Sequence, residues 1–161
     1  MKPSYQFSRI VLPVPHLMQQ AKADCLAACA AMVLGYTGRI YNYRKLTSAL
    51  DIRSHGAVFS HILRLDKLGI NFTLKTGGFN ELHNLLRQNH PCILAVRTGE
   101  LAYWRDLPKP EDVSHAIVLI GLAGDTAYVN DPAFEDAPFT VSIGELDLAR
   151  LEHDERFAFL A

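Results

Sequence analysis

The stretch from Asp24 to Gly35 limits the fold more than any other part of the chain. It reads Asp-Cys-Leu-Ala-Ala-Cys-Ala-Ala-Met-Val-Leu-Gly, and its alanines and leucines favour a helix. Asp24 can act as N-cap and Gly35 can supply a left-handed C-terminal residue, so the predicted helix has its own start and stop signals. A helix that is apolar on every side belongs in the interior of a domain. We therefore expect the other elements to pack around it.

Cys25 stands in the first turn of this predicted helix, unlike the other two cysteines of the chain. The free backbone N–H groups of a first turn and the positive end of the helix dipole favour a thiolate over a thiol. We interpret Cys29 and Cys92 as small buried hydrophobic side chains. The same structural role is the alternative for Cys25, so neighbouring groups have to decide between the two interpretations.

Charge and composition exclude several classes of partner. The 16 basic and 17 acidic residues give a formal net charge of −1, which removes the electrostatic case for nucleic acid or an anionic membrane. Cys25 and Cys29 are four residues apart, but no second Cys or His pair at zinc spacing completes a metal site. The seven histidines are scattered. We expect no metal and no cofactor.

Length and hydrophobicity indicate one globular domain. The chain has 161 residues and 49% hydrophobic content, which favours a single domain over residues 1–161. No apolar run is long enough to span a bilayer, and the N-terminal segment, interrupted by Pro13 and Pro15, is a poor signal peptide. Three cysteines cannot pair completely and suit a reducing compartment. We expect a cytoplasmic location without a membrane span.

Hydrophobic periodicity predicts further helices and strands around the central helix. Residues 1–18 are expected to form an extended arm, because prolines bias their neighbours towards extended geometry. A capping box that begins at Ser142 predicts a last short helix. The remaining predicted elements are helices at 43–50, 58–68 and 79–88 and strands at 70–75, 92–96 and 157–160. In the second of these helices Val58, Ile62, Leu65 and Leu68 are expected to share a buried face, and Gly69 is expected to close it.

The segment from Thr98 to Ser114 is predicted to be long and irregular. Loops of this length inside a compact domain are usually functional or mobile. The segment contains Trp104, the single tryptophan of the chain. Trp104 either caps the core from the loop or forms a lid over a substrate cleft.

A predicted hairpin brings two polar residues together. His115 begins the apolar strand 115–121, Gly124 and Asp125 form a turn, and residues 126–130 form the return strand. Asp131 follows directly. Because the start of one strand and the end of its antiparallel neighbour lie at the same edge of a sheet, we expect His115 and Asp131 to be within reach of each other.

These residues fit the requirements of acyl transfer by a cysteine. That chemistry needs a nucleophile, a base, a group that orients the base and donors for the oxyanion. We predict these roles for Cys25, His115, Asp131 and Gln19, in that order.

Each of the three partners of Cys25 also has a structural alternative. His115 could be a strand-end histidine that solvent satisfies, and Asp131 could open a turn before Pro132. Gln19 could be a surface glutamine, and the adjacent Gln20 leaves the register open by one residue.

The sequence resembles the C39 family of bacterial cysteine peptidases, papain-like domains that remove double-glycine leaders from bacteriocins and related exported peptides. The matching residues are Gln19, Asp24, Cys25, Ala28, Met32, Tyr36, the run His115–Gly121, and Asp131 with Pro132. The resemblance implies a papain-like α+β fold, in which a helical part carrying Cys25 packs on an antiparallel sheet carrying His115 and Asp131. It also implies the same four roles for Cys25, His115, Asp131 and Gln19.

The resemblance implies a cysteine peptidase that cleaves a peptide or protein through a thioester, with a double-glycine leader peptide as one candidate substrate. Leu26 stands where many exporter-linked members have glycine, and the chain has neither membrane spans nor a Walker motif. We therefore expect a free-standing domain, with a separate exporter as a candidate partner. The alternatives are a transpeptidase or cyclase with the same triad, a leader-peptide-binding module that does not cleave, and a toxin or effector protease.

Overall fold

The computed structural model describes residues 5–161, so Met1–Ser4 of the expected N-terminal arm lie outside the described residues. The α-helices are α1 (Cys25–Tyr36), α2 (Tyr43–Ala49), α3 (Phe79–Arg87), α4 (Ala102–Arg105) and α5 (Ile143–Arg150), and 3₁₀ turns cover Phe59–Leu68, Thr98–Glu100 and Leu151–His153. The strands are β1 (Phe7–Val11), β2 (Phe72–Thr76), β3 (Cys92–Arg97), β4 (Ser114–Gly124), β5 (Thr126–Asn130), β6 (Phe139–Ser142) and β7 (Arg156–Leu160).

The strands form one antiparallel sheet with β4 at its centre. The order is β2-β7-β3-β4-β5-β6, and β1 pairs with the C-terminal half of β4 beyond the end of β3. In the register, His115 lies opposite Val96 of β3, and Val118 lies opposite Asn130 of β5. The start of β4 and the end of β5 therefore lie towards the same edge of the sheet, as the predicted hairpin requires.

Helix α1 occupies the interior of the domain, as its sequence predicts. All nine residues from Leu26 to Leu34 are buried, and the helix packs against β4 and β3. An apolar helix gains most from such a position because every side chain leaves water. The expected α+β fold, with this helix packed on an antiparallel sheet, is confirmed.

The two ends of α1 differ from the prediction. Asp24 is the N-cap residue, but its side chain accepts no capping hydrogen bond. Gly35 does not end the helix, because the chain stays helical to Tyr36 and the left-handed residue is Gly38, with φ of 74°. A Cβ atom at Gly35 would lie 3.4 Å from Cγ of Pro15. That distance is an ordinary van der Waals contact, so Gly35 is a helix residue that packs against the N-terminal arm and does not form a turn.

The segment predicted as helix 58–68 is a 3₁₀ helix, and its buried face is narrower than expected. Ile62 and Leu65 are fully buried, whereas 59% of Val58 and 38% of Leu68 are exposed. Three residues per turn align Ile62, Leu65 and Leu68 and turn Val58 out of that row; Leu68, although in the row, is the last residue of the segment and is partly exposed there. Gly69 closes the segment in the left-handed conformation, as expected.

Three further segments are more ordered than the sequence indicated. Part of the predicted N-terminal arm is strand β1, and β6 is a strand that the sequence analysis did not identify. The segment predicted as irregular, Thr98–Ser114, contains a 3₁₀ turn and helix α4. Its two ends are joined at Thr98, whose hydroxyl donates to the carbonyl of Glu111 and accepts from the N–H of Val113. Such side-chain bonds to distant backbone depend on the fold and leave no local pattern.

Candidate active site

A cleft of about 1160 Å³ opens beside the first turn of α1. Residues 18–23, 51–59 and 113–116 supply most of its lining. The predicted site residues that line it are Gln19, Cys25 and His115. The fourth, Asp131, is fully buried and hydrogen-bonded to His115.

Cys25 is the accessible thiol among the three cysteines. It is the first residue of α1 and is half-buried at the cleft, whereas Cys29 and Cys92 are fully buried. Burial raises the pKa of the Cys29 thiol well above its ordinary value and that of Cys92 to about 12. These two thiols are therefore neutral at physiological pH, as expected for small hydrophobic side chains.

His115 lines the cleft together with Cys25 and is bonded to Asp131. It is the second residue of β4 and is 9% exposed, and its Nε2 atom lies 2.7 Å from Oδ1 of Asp131. An ionised carboxylate has no proton to give, so Nε2 donates this bond and leaves Nδ1 for Cys25. Burial alone would lower the pKa of His115, but the hydrogen bond to Asp131 and the interaction with the neighbouring Cys25 outweigh it and raise this pKa to about 10.

Asp131 is a buried carboxylate that accepts four hydrogen bonds. Oδ1 accepts from His115 and from the backbone N–H of Ala133 at 2.9 Å. Oδ2 accepts from the hydroxyl of Tyr103 at 2.8 Å and from Nε1 of Trp104 at 2.9 Å. Burial alone would raise the pKa of Asp131, but the bonds from His115 and the other donors keep it below its ordinary value of 3.8.

Tyr103 and Trp104 are site residues that the sequence analysis did not assign. Both lie on α4, inside the segment predicted as irregular. Trp104 is 8% exposed and lines the cleft from within the core, so the core-capping alternative describes it better than a lid. A tyrosine next to a tryptophan offers two adjacent donors in the sequence, but only the fold shows which acceptor they reach.

Gln19 lies at the cleft, and its carboxamide is bonded to the backbone of the residues that follow it. Nε2 donates to the carbonyls of Ala21 and Lys22 at 3.0 and 2.8 Å, and Oε1 is buried without a partner. The backbone N–H of Gln19 donates to the carbonyl of Pro132 at 2.8 Å, which ties this residue to the turn after Asp131. The side chain of Gln20 makes no hydrogen bond within residues 5–161, although it also lines the cleft.

Residues 5–161 contain no group of three or more His, Cys, Asp or Glu side chains placed to hold a metal ion. Within the same residues, no helix is long and apolar enough to cross a membrane.

A family model, described as the Peptidase_C39 like family, matches residues 11–141 of the sequence. The chain belongs to this family. The match includes the start of α1, the whole of β4 and the end of β5, so it spans Cys25, His115 and Asp131. No curated protein sequence matches this C39-like chain.

Solved structures similar to the C39-like chain show the same fold. A Bacillus anthracis protein described as a C39-like peptidase is 17% identical with a TM-score of 0.76, and the alignment covers 96% of this chain and 98% of that one. The peptidase domain of Streptococcus ComA, a bifunctional ABC transporter, is 19% identical with a TM-score of 0.70 over 92% and 98%. A double-glycine-motif protease from an AMS/PCAT transporter, in complex with its leader peptide, is 21% identical with a TM-score of 0.68 over 96% and 99%. The papain-like fold class is thereby confirmed.

Cys25 should react with iodoacetamide before the other two thiols, because it alone is accessible at the cleft while Cys29 and Cys92 are buried and protonated. Fragment-ion mass spectrometry of the native, labelled protein measures this, since Cys25 and Cys29 share one tryptic peptide. Labelling in urea, where all three should react, is the control. Equal labelling rates in the native protein would contradict the expectation.

The free energy of unfolding should fall as the pH rises from 6.5 to about 10. The bonds of His115 raise its pKa from 6.5 to about 10 in the folded protein, so the stability they contribute is complete below pH 6.5 and is lost as the pH rises through 10. Urea unfolding of the wild type and of Asp131→Asn across this range measures it. The wild type should lose more stability than the variant, because the buried thiols are common to both proteins. Identical pH dependence would contradict the linkage.

Proposed function

We propose that this protein is a cysteine peptidase that cleaves peptide bonds through a Cys25–His115–Asp131 triad and a thioester intermediate. The observation that carries the proposal is the order of groups from the cleft inwards: an accessible cysteine at a helix start, a histidine that lines the same cleft, and a buried carboxylate bonded to Nε2 of that histidine. This order supports the proposal, because acyl transfer needs a nucleophile, a base beside it and a group that orients the base.

The first half of the reaction forms the thioester. Sγ of Cys25 gives its proton to Nδ1 of His115 and attacks the carbonyl carbon of the scissile bond, and the carbonyl oxygen becomes an oxyanion. The C–N bond then breaks as His115 gives its Nδ1 proton to the leaving amine. In the second half His115 takes a proton from water, the hydroxide attacks the thioester, and Cys25 leaves with the new carboxylic acid released. Asp131 keeps the ring oriented and stabilises the imidazolium throughout.

Two donors are available for the oxyanion in this proposal. The backbone N–H of Cys25 is in the first turn of α1, where no acceptor exists within the helix. Gln19 supplies the second donor by turning Nε2 from the carbonyls of Ala21 and Lys22 towards the substrate. The bond from the N–H of Gln19 to Pro132 holds its backbone near the triad while the side chain turns.

The proposed substrate is a peptide or protein with two small residues before the scissile bond, such as a double-glycine leader peptide. Small residues, including Gly56, Ala95 and Ala116, lie in the cleft lining, and the AMS/PCAT neighbour is a double-glycine-motif protease bound to a leader peptide. The ComA neighbour is the peptidase domain of a transporter, so a separate exporter is the partner we propose. The three unpaired cysteines support a reducing, cytoplasmic setting.

Cys25→Ala should abolish cleavage of a peptide with Gly-Gly before the scissile bond, with a rate loss of about a thousandfold or more. Cys29→Ala is the matched control and should keep its activity, because Cys29 is buried outside the cleft lining. Mass spectrometry of the products measures both.

Replacement of both glycines in that peptide by leucine should prevent cleavage. Cleavage by the Cys25→Ala variant would contradict the proposed mechanism. Rapid cleavage after leucine would contradict the proposed specificity. Products joined to an added amine would indicate a transpeptidase, and binding of the peptide without cleavage would indicate a leader-binding module.

Gln19→Ala should slow turnover by about a hundredfold without changing the melting temperature, because one oxyanion donor is lost. Gln20→Ala is the matched neighbour and should have a small effect, since its side chain is exposed. Steady-state rates and thermal melts of the two variants measure this. A larger loss of turnover in Gln20→Ala than in Gln19→Ala would assign the oxyanion donor to Gln20 instead of Gln19.

A further inference from the structure

Tyr103 and Trp104 give the Asp131 carboxylate two of its four hydrogen bonds. Both bonds go to Oδ2, whereas His115 and the N–H of Ala133 share Oδ1. A carboxylate has about four lone-pair sites, so those of Asp131 are all occupied. Rotation of the carboxylate would break the bonds of both oxygens, and the side chain is therefore fixed in one orientation.

Aromatic packing holds both donors in place. The ring of Tyr103 stacks on that of Phe139, with centroids 4.2 Å apart and planes 6° from parallel. The ring of Trp104 meets His115 edge to face at 5.1 Å and meets Phe134 at 5.3 Å. Such pairs have preferred geometries and restrict ring rotation. The same rings separate Asp131 from water, which strengthens every hydrogen bond that it accepts.

The segment that carries the donors is fixed at its base. The N–H of Thr98 donates to the carbonyl of Val113, one residue before β4, and Leu101 is fully buried at the start of α4. The donors and His115 are therefore attached to the same part of the sheet. The base of the segment is bonded to the residue that precedes β4, so the positions of the donors relative to His115 are fixed.

We propose that Tyr103 and Trp104 are positioning residues of the peptidase, which hold the Asp131 carboxylate ionised and aimed at His115. Burial of an ionised carboxylate costs several kcal/mol, and bonds from His115 and Ala133 leave Oδ2 without a partner. The hydroxyl and indole donors satisfy that oxygen without adding charge, so the full negative charge of Asp131 remains available to the imidazolium. The effect on rate rests on the proposed function, whereas the effect on Asp131 and His115 does not.

Several titratable groups surround Asp131 and bear on its protonation. His115 on β4 and Tyr103 on α4 bond to it directly, and Cys29 and Cys25 approach from α1. Burial and the negative charge of Asp131 raise the pKa of Tyr103 above its ordinary value, so its hydroxyl keeps the proton that it donates. Loss of either donor would raise the pKa of Asp131, because burial would then be less well offset.

The kinetic test uses Tyr103→Phe and Trp104→Phe, with Tyr128→Phe as the control because its hydroxyl bonds only to Arg9 on the surface. Each test variant should lower kcat by about tenfold with little change in KM, as expected for one hydrogen bond to a charged group. The acidic limb of the pH profile should move to higher pH. In an Asp131→Ala background, Tyr103→Phe should have no further effect. An unmoved acidic limb, or an equal additional loss in that background, would overturn the proposal.

A spectroscopic test does not depend on catalysis. The Nε2 proton of His115, bonded to a carboxylate, should give a low-field ¹H NMR resonance that is absent from Asp131→Ala. In Tyr103→Phe and Trp104→Phe the resonance should move to lower field, because a carboxylate with fewer donors is a stronger acceptor. An unchanged resonance would overturn the proposal, even with an active enzyme. Tyr103→Phe keeps the stacked ring, so it provides the test if Trp104→Phe does not fold. If the wild type cleaves no peptide but the resonance still moves in the two variants, only the proposed function would be rejected.

Discussion

The Asp131 carboxylate is charged and has no contact with solvent. The architecture of the site follows from the need to supply this carboxylate with hydrogen-bond donors. Moving an ion from water into a protein interior costs several kcal/mol, and a hydrogen bond to a charged group returns roughly 1.5–3 kcal/mol. Four bonds are therefore of the size needed to keep the carboxylate ionised. They come from β4, from α4 and from the turn after β5, so three separate parts of the chain must meet at one point.

Helix α1 determines the position of Cys25. Because it is apolar on all sides, it lies in the core against β4, and its first turn, with Cys25, borders the cleft. Cys29, one turn further on, is already buried and neutral. The same burial that stabilises the fold thus leaves Cys25 as the accessible thiol of the three. In the proposed mechanism, His115, at the start of the strand on which α1 packs, receives its proton.

Sequence reasoning found the residues whose positions follow from local pattern. The apolar helix, the hairpin of β4 and β5, and the closeness of His115 to Asp131 all follow from periodicity and strand geometry. It did not identify Tyr103 and Trp104 as hydrogen-bond donors to Asp131, because Asp131 is 28 and 27 residues away from them in sequence and hydrogen-bond donors leave no periodic signal. It also misplaced the end of α1, since the helix continues through Gly35 to Tyr36 and the left-handed residue is Gly38.

The sequence by itself determined the family, the fold class and the candidates for each chemical role, since these depend on hydrophobic pattern and residue type. Only the tertiary structure decided which groups are bonded: that Asp131 has four donors, that Nε2 is the nitrogen of His115 bonded to it, and that the carboxamide of Gln19 turns back to Ala21 and Lys22. The reason is physical. Burial and periodicity are properties of a segment, whereas a hydrogen bond depends on the distance and direction between atoms that distant segments supply.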